Sequence, residues 1–369
     1  MQRKSTLALR FGAALLAAVS ALSALSAVPN AARADAVRVL APAADGAPEE
    51  TTLEGKIEST SADAIVLAAD GQKRTLAAAS VLGTQYDDEP IVLAAVRADL
   101  ELGKYEDALA KLAEISAADV RSARAAVAAE IESLRALATG RLALAGSEKL
   151  ATGGRAVLAF VQKSPTHWRH YEAVELLGEI FAKTGKPADA EKQFAALEQA
   201  ASPTVRARGK IARGTLALAD AARLADAEKL FADAIAELDA ASAAGAETNA
   251  VRVLAQIGAA RVLAGQKRFD DAEKTLDDAI AATPRDAIAT NAAIYVAQGE
   301  IRVAAGRPRD AIVSYVRVEL LYPSARARRV EALKALVPLW TQTGRPDRAD
   351  DVRRTLKERF KIDLDAASK

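Results

Sequence analysis

The 369-residue chain contains no cysteine, and aromatic residues make up only 4% of it. The absence of cysteine excludes disulfide bonds, thiolate metal ligands and a lipid-modified N-terminal cysteine. Hydrophobic residues account for 51% of the chain, and alanine is the most prominent among them. Alanine is the best helix former and lets helices approach closely, whereas a β-sandwich needs aromatic and β-branched residues. The composition therefore predicts a mainly helical protein.

The chain also lacks a large net charge, with 50 Lys and Arg residues against 49 Asp and Glu residues. A nearly neutral chain argues against nucleic acid as a partner. The one local asymmetry is residues 324–361, which contain eleven basic and five acidic residues. This segment is interpreted as a solvated capping unit of the fold, or alternatively as a patch that contacts an anionic envelope surface.

Residues 1–34 have the pattern of a secretory signal peptide. The first ten residues include three basic ones (Arg3, Lys4 and Arg10), residues 11–28 are apolar and small, and an A-x-A cleavage site ends at Ala34. We predict cleavage between Ala34 and Asp35, export, and a periplasmic location with no transmembrane segment after cleavage. The alternative is an uncleaved signal that anchors the protein in the inner membrane, because the apolar run is close to the minimum spanning length.

The stretch from Tyr171 to Pro203 carries two amphipathic patterns separated by a turn at Gly185. Apolar residues recur every three or four positions on each side of the turn, as one face of a helix requires. The first stripe is Val174, Leu177 and Phe181, and the second is Ala190, Phe194 and Leu197. Two such helices form a hairpin, which needs a neighbour of the same kind to bury both stripes.

At these residues the stretch resembles a tetratricopeptide repeat. The residues that match the family's signature are Leu177-Gly178, Phe181, Ala190, Phe194 and Pro203. Alanines that open the second helices recur at 190, 227, 272, 311 and 349, with spacings of 37, 45, 39 and 38 residues. The family period is about 34 residues. The resemblance implies a mostly α protein, an α-solenoid of about seven stacked helical hairpins over residues 89–361. Residues 362–369 are left as a tail.

Two local predictions follow from this register. Ala190, Ala272 and Ala311 are expected to be packing positions at which the two helices of a hairpin come closest. Residues 117–165 are the least regular part, and we predict a long helix from about 118 to 139 followed by a shorter helix that ends at Ser164.

Residues 35–88 differ in character and predict a small antiparallel β-module of three to five strands. Short β-branched segments lie at 37–40, 52–57, 64–68 and 73–76, and Asp70-Gly71 is a strong hairpin-turn signal. The module resembles an SH3-like or Sm-like barrel, and the alternative is a tether that contains a single hairpin.

The sequence contains no pattern that supports catalysis or cofactor binding. His167 and His170 are the only histidines, and we interpret them as part of a helix surface because no further metal-ligand pattern accompanies them. Residues 183–186 (Lys-Thr-Gly-Lys) lack the spacing and flanking strand of a phosphate loop and are interpreted as a hairpin turn. We predict no catalytic, metal or cofactor site.

In the family that the chain resembles, the first helix of each pair lines the concave face, where a ligand peptide lies. We therefore predict that the groove includes residues of three first helices. These are Glu172, Glu175, Glu179, Lys183, Arg252, Val296 and Glu300. The three carboxylates share one helix face, away from the apolar stripe, and would favour a basic partner segment.

The sequence as a whole predicts a non-enzymatic, exported scaffold that mediates protein–protein interactions in the bacterial cell envelope. Its expected partner is a protein or peptide, and nucleic acid is excluded by charge. The alternative function is an envelope-surface adaptor that binds glycan or anionic lipid through the β-module or the basic C-terminal segment.

Overall fold

A computed structural model describes residues 34–42, 48–146, 149–241 and 246–364. The predicted signal peptide lies outside these residues, apart from Ala34, which is exposed. The end of the predicted tail, residues 365–369, also lies outside them.

The N-terminal part is an antiparallel sheet of five strands. The strands are β1 (Asp35–Pro42), β2 (Pro48–Thr60), β3 (Ala64–Ala69), β4 (Gln72–Ala77) and β5 (Val81–Gln85), in the spatial order β4-β3-β2-β1-β5. The first half of β2 pairs with β1, with Val37 opposite Leu53, and its second half pairs with β3, with Ile57 opposite Leu67. A register shift after Ile57 accompanies this change of partner, as expected where a strand bends between two pairings.

The structure confirms the predicted β-module and excludes the single-hairpin alternative. The turn between β3 and β4 is formed by Asp70 and Gly71, whose φ angles of 52° and 73° match the left-handed turn that the Asp-Gly pair predicted. Two details were not predicted. The strand β5 returns to pair with β1, and the β1–β2 pairing extends to Pro42 and Pro48, although the Pro-, Gly- and acid-rich residues 41–50 predict a loop.

The rest of the described chain is helical. The helices are α1 (Val92–Glu101), α2 (Tyr105–Ala113), α3 (Ala117–Ser122), α4 (Ala125–Ala145), α5 (Leu150–Lys163), α6 (His170–Lys183), α7 (Pro187–Leu197), α8 (Pro203–Leu218), α9 (Leu224–Ala240), α10 (Ala246–Gly265), α11 (Phe269–Ala282), α12 (Ile288–Ala304), α13 (Pro308–Leu321), α14 (Arg326–Gln342) and α15 (Pro346–Phe360). Apart from the short α3, they pack as consecutive hairpins, from α1 with α2 to α14 with α15. The described residues thus form seven hairpins, in agreement with the predicted number. None of these helices is both long and apolar enough to cross a membrane.

The second helices of the hairpins share one packing register. Their fourth residue is alanine in every case but α5, where it is Gly153. The alanines are Ala108, Ala190, Ala227, Ala272, Ala311 and Ala349, and all are fully buried. The residue seven positions after each of these alanines is buried as well, from Ile115 just beyond α2 to Leu356 in α15. The predicted packing role of Ala190, Ala272 and Ala311 agrees with this burial. Gly153 occupies the same position in α5, within the least regular part of the sequence.

Glycines in the first helices admit the aromatic rings of the second helices. A Cβ atom built on Gly178 would lie 2.4 Å from the Phe194 ring, and one on Gly299 would lie 2.5 Å from the Tyr315 ring. Phe231 is fully buried between two helices, since a Cβ on Gly258 would lie 2.1 Å from its ring and one on Gly214 would lie 2.9 Å from it. The contact between each aromatic ring and its glycine therefore sets how closely consecutive helices approach.

The structure contradicts the prediction of one helix. The segment read as a single helix from 118 to 139 is divided into α3 and α4, with Ala123 in an extended conformation between them. Ser116 caps α3 by accepting a hydrogen bond from the backbone N–H of Asp119, whose carboxylate accepts from the Ser116 N–H. This capping box starts a new helix close after α2, and α4 then runs on to Ala145, beyond the predicted end.

The sheet and the first helices share one hydrophobic core. Val37, Ile65 and Tyr86 of the β-module belong to the same buried cluster as Leu93 of α1 and Ile131 of α4. A second contact joins the sheet to later repeats, because the backbone N–H of Ala201 donates to the Asp63 carboxylate over 2.8 Å. The β-module is therefore packed into the helical stack.

Candidate binding groove

A groove with a volume of about 620 Å³ lies among the described helices. It is lined by first helices of six hairpins, from Leu144 of α4 to Arg328 of α14, and among second helices only Phe194 of α7 contributes. Because residues of the second and the seventh hairpin line the same cavity, the stack curves around it. The first helices thus form the inner face of the stack.

The floor of the groove is apolar and comes mainly from α8 and α10. Ile211, Leu216, Leu254 and Ile257 line it, and Leu254 has 38% of its surface exposed. A partly exposed leucine in a concave site is a feature of binding surfaces, because burying it on binding removes apolar area from water.

Three of the predicted groove residues line this cavity, and all three lie on α6. They are Glu175, Glu179 and Lys183. The fourth predicted residue of this helix, Glu172, lines a smaller cavity of about 300 Å³ nearer the β-module. The predicted stripe of α6 therefore runs along the inner face of the stack.

Two of the three predicted carboxylates are already paired with arginines. Glu172 Oε1 accepts from Arg141 over 2.7 Å and Glu172 Oε2 accepts from Arg169 over 3.0 Å, while Glu175 pairs with Arg208 of the next first helix. Burial opposes the charge of Glu172, but the charges of Arg169 and Arg141 together with these hydrogen bonds lower its pKa to about 2. Much of the expected acidic stripe is thus neutralised by ion pairs between neighbouring first helices.

Glu179 differs from the other two carboxylates. Within the described ranges no lysine, arginine or histidine lies within 4 Å of its carboxylate. The surrounding groove walls desolvate it and the nearby charge of Glu175 repels it, and both effects raise its pKa. Arg141 and Arg208 act in the opposite direction, but they already bind Glu172 and Glu175.

The predictions for the other two helices are less accurate. Val296 was expected to be exposed, but it has 1% of its surface exposed and packs in the core between α12 and α14. Arg252 pairs with Asp239 of α9 and does not line the cavity. Glu300 lies beside the groove, since its Oε2 is 2.8 Å from Nη2 of the lining residue Arg261.

Several groove residues were not predicted at all. These are Arg208, Arg261 and Arg328, together with the apolar floor. On α10 the predicted groove residue was Arg252, and no groove residue was predicted on α8 or α14. The register of α6 does not identify the lining residues of α10, because aligning Gly178 with Gly258 pairs Arg261 with Phe181 and Leu254 with Val174, both on the predicted apolar stripe.

A network of buried charges joins α1 and α4 to the segment before α6, beneath the smaller cavity. Its centre is Glu130 of α4, which is fully buried and lies within 3.8 Å of the side-chain nitrogens of Arg97, His167 and Arg169. Although burial opposes it, contact with His167 and the charges of Arg169 and Arg97 lower the pKa of Glu130 to about 2. Trp168 Nε1 donates to its carboxylate over 3.3 Å.

The interpretation of the two histidines as a helix surface is wrong for His167. Its exposed fraction is 4%, and it belongs to the buried network around Glu130. Within the described residues no group of three or more potential ligand side chains is arranged to hold a metal ion. The segment 183–186 is the predicted turn, because α6 ends at Lys183, Gly185 has φ of 70° and α7 begins at Pro187.

Several arginines of the basic C-terminal segment are paired with nearby acidic residues. Arg328 pairs with Glu331, Arg329 with Glu319, and Arg353 and Arg354 with the aspartates three positions before them. These ion pairs reduce the free positive charge that an anionic surface would meet.

Comparisons with known proteins yield similarity only at the level of structure. No protein family and no curated protein match the sequence. A Rap protein complexed with competence and sporulation factor has a TM-score of 0.48 and 14% identity, covering 72% of this chain and 75% of that chain. A tetratricopeptide repeat protein from Parabacteroides merdae has a TM-score of 0.46 and 15% identity, covering 72% and 91%. A thermophilic TPR protein from Thermus thermophilus has a TM-score of 0.40 and 17% identity, covering 56% and 99%. The predicted architecture, a solenoid of helical hairpins preceded by a small antiparallel β-module, is confirmed by the packing described above.

Proposed function

We propose that this protein is a non-enzymatic scaffold that binds a segment of another protein in the groove formed by its first helices. The observation that carries the proposal is the groove itself, which combines an apolar floor at Leu216 and Leu254 with charged walls at Glu179 and Arg261. Its volume of about 620 Å³ lies within the range of sites that bury a ligand, and the open ends of a solenoid groove suit an extended chain.

The chemistry of the groove supports binding rather than catalysis. Its lining contains no histidine, no serine and no hydroxyl beside a general base. The carboxylate of Glu175 is held by Arg208, and Thr215 donates its hydroxyl to the Ile211 carbonyl over 2.8 Å. These side chains position one another and provide no activated nucleophile.

We also propose that the protein acts after export, in the cell envelope. The signal-peptide pattern of residues 1–34 supports this location, and so does the start of β1 at Asp35, the residue that follows the predicted cleavage site. The Asp35 carboxylate is buried and accepts hydrogen bonds from the backbone of Ile57 and Asp87 and from Arg124.

Photo-cross-linking in living cells tests the proposed function. A photoreactive amino acid at Thr215 places the probe inside the groove, because this residue lines it and is exposed. The matched control is Thr275 of α11, which also donates its hydroxyl to the carbonyl four residues earlier but does not line the groove. We expect a protein adduct from position 215 that is absent from position 275.

The outcomes separate the proposal from its alternative. Equal adducts from both positions, or none from either, would refute binding in the groove. Lipid or glycan in the adduct from position 215, without protein, would support the surface-adaptor function instead.

A further inference from the structure

Among the described residues, only some of the charged side chains that line the groove form ion pairs. Three of the lining residues are arginines with acidic partners, since Arg208 pairs with Glu175, Arg261 with Glu300 and Arg328 with Glu331. In the part of the chain that the structure describes, Glu179 and Lys183 line the same groove and have no ion-pair partner within 4 Å. One negative and one positive charge therefore remain for a ligand.

These two residues lie one turn apart on α6 but do not pair with each other. An i, i+4 pair with the glutamate first has the favourable orientation for a salt bridge on a helix. The two side chains instead remain apart, and both are exposed beside the groove. A ligand that supplied both opposite charges would pair with them and would not disturb the existing ion pairs.

We propose that the bound segment carries a basic and an acidic residue, the first paired with Glu179 and the second with Lys183, next to an apolar side chain seated on Leu254. This inference rests on the proposed function and specifies its partner. The order of the two charges along the segment then determines the direction in which the segment lies in the groove.

The spacing of the two charges in the partner follows from helix geometry. The Cβ atoms of residues four apart on a helix are about 5–6 Å apart. In an extended chain, residues two apart lie on the same face and are about 6.6 Å apart. An extended segment would therefore match the spacing of Glu179 and Lys183 if one residue separates its two charges. A segment bound as a helix would carry its charges three or four residues apart.

Selection from a random peptide library displayed on phage, with the full chain as bait, tests the inference. We expect the wild-type protein to enrich peptides with a basic and an acidic residue at these spacings beside an apolar residue. The double exchange Glu179→Gln, Lys183→Gln should remove the enrichment of both charges. For a peptide selected on the wild-type protein, Glu179→Gln should weaken binding about tenfold.

The control exchanges a similar pair outside the groove. Lys274 and Asp278 lie four residues apart on α11 and pair with each other over 2.9 Å, and the double variant Lys274→Asp, Asp278→Lys should leave the selected peptides unchanged. Circular dichroism verifies that both double variants are folded.

Two results overturn the inference in distinguishable ways. If the wild type and the variant exchanged at 179 and 183 enrich peptides with the same charge pattern, the charge pairing is refuted and the proposed function is retained. Failure of any peptide to be enriched would refute the proposed function together with the inference.

The exchange at Glu179 and Lys183 is a cleaner test than reversing all three glutamates of α6. Replacing Glu172, Glu175 and Glu179 together by lysine would break the ion pairs with Arg141 and Arg208 and would perturb the packing between first helices. The exchange at Glu179 and Lys183 alters charges that take no part in those pairs.

Discussion

Replacing Gly258 by alanine should destabilise the protein although alanine is the better helix former. A Cβ atom at this position would lie 2.1 Å from Cε1 of Phe231 and 2.4 Å from Cδ1, more than 1 Å inside ordinary contact. The ring cannot withdraw freely, because Phe231 is fully buried and its other side lies against Gly214 of α8. Helices α8 and α10 must therefore separate, or the ring must leave its preferred rotamer.

The expected magnitude combines two opposing effects. Overpacking of a well-packed core costs about 1–3 kcal/mol. Alanine in place of glycine in a helix interior gains up to about 1 kcal/mol. Since both sides of the Phe231 ring are blocked, we expect the upper part of the first range. The free energy of unfolding should thus fall by about 1–2 kcal/mol.

The assay is urea unfolding followed by circular dichroism at the helical minimum. With a slope of about 3 kcal/mol per molar urea, the midpoint should fall by roughly 0.5 M. The matched control is Gly265→Ala near the end of the same helix, where the nearest atoms are methyl groups of Leu224 at 3.3 and 3.5 Å. This variant should be as stable as the wild type or slightly more stable.

A double variant identifies the ring as the cause. Phe231→Leu removes the aromatic edge, so Gly258→Ala should cost less in the presence of Phe231→Leu than alone. If Gly258→Ala is as stable as Gly265→Ala, or if its cost is the same with and without Phe231, the packing argument is refuted.

Three further predictions concern the repeat register, the buried charges and the N-terminus. Ala272→Leu should lower the urea midpoint by an overpacking cost of about 1–3 kcal/mol, whereas Ala281→Leu, at an exposed position of the same helix, should not; equal tolerance would contradict the register. The pKa of Glu130 is lowered to about 2 from an ordinary value of 4.5, so its contribution to the free energy of unfolding is complete above about pH 4.5 and is lost as the pH falls towards 2. Glu130→Gln should therefore flatten the stability profile in that window, and an unchanged slope would refute the role of this carboxylate. N-terminal sequencing of the extracted protein should begin at Asp35, and an intact Met1 would disprove cleavage.

The sequence was sufficient for the architecture because its strongest signals are local. The small residue that opens each second helix, such as Ala190, repeats with the hairpin, and the Asp70-Gly71 turn depends on two adjacent residues. The division between α3 and α4 was missed because no glycine or proline marks it, and a capping box at Ser116 carries the signal instead. The strand β5 was missed because its role depends on pairing with the distant β1.

The groove was predicted only in part because its residues are selected by long-range packing. The inward direction of α6 was correct, but Val296 shows that an apolar residue of a first helix can face the neighbouring helix. The pairing of Glu175 with Arg208 joins residues that are 33 positions apart, and no periodicity within one helix predicts it. Which charges remain for a partner is therefore a property of the folded stack.

The shared core of the β-module and the first helices also affects how copies of the chain can associate. A stack of similar hairpins presents related surfaces at its two ends, and an uncovered end can accept the opposite end of another copy, which leads to an open filament. Here Val37, Ile65 and Tyr86 bury Leu93 and other residues of the first hairpins, so this end of the stack is occupied from within the chain. Because it covers apolar surface of the first hairpins, the sheet reduces the area through which another copy could stack onto them.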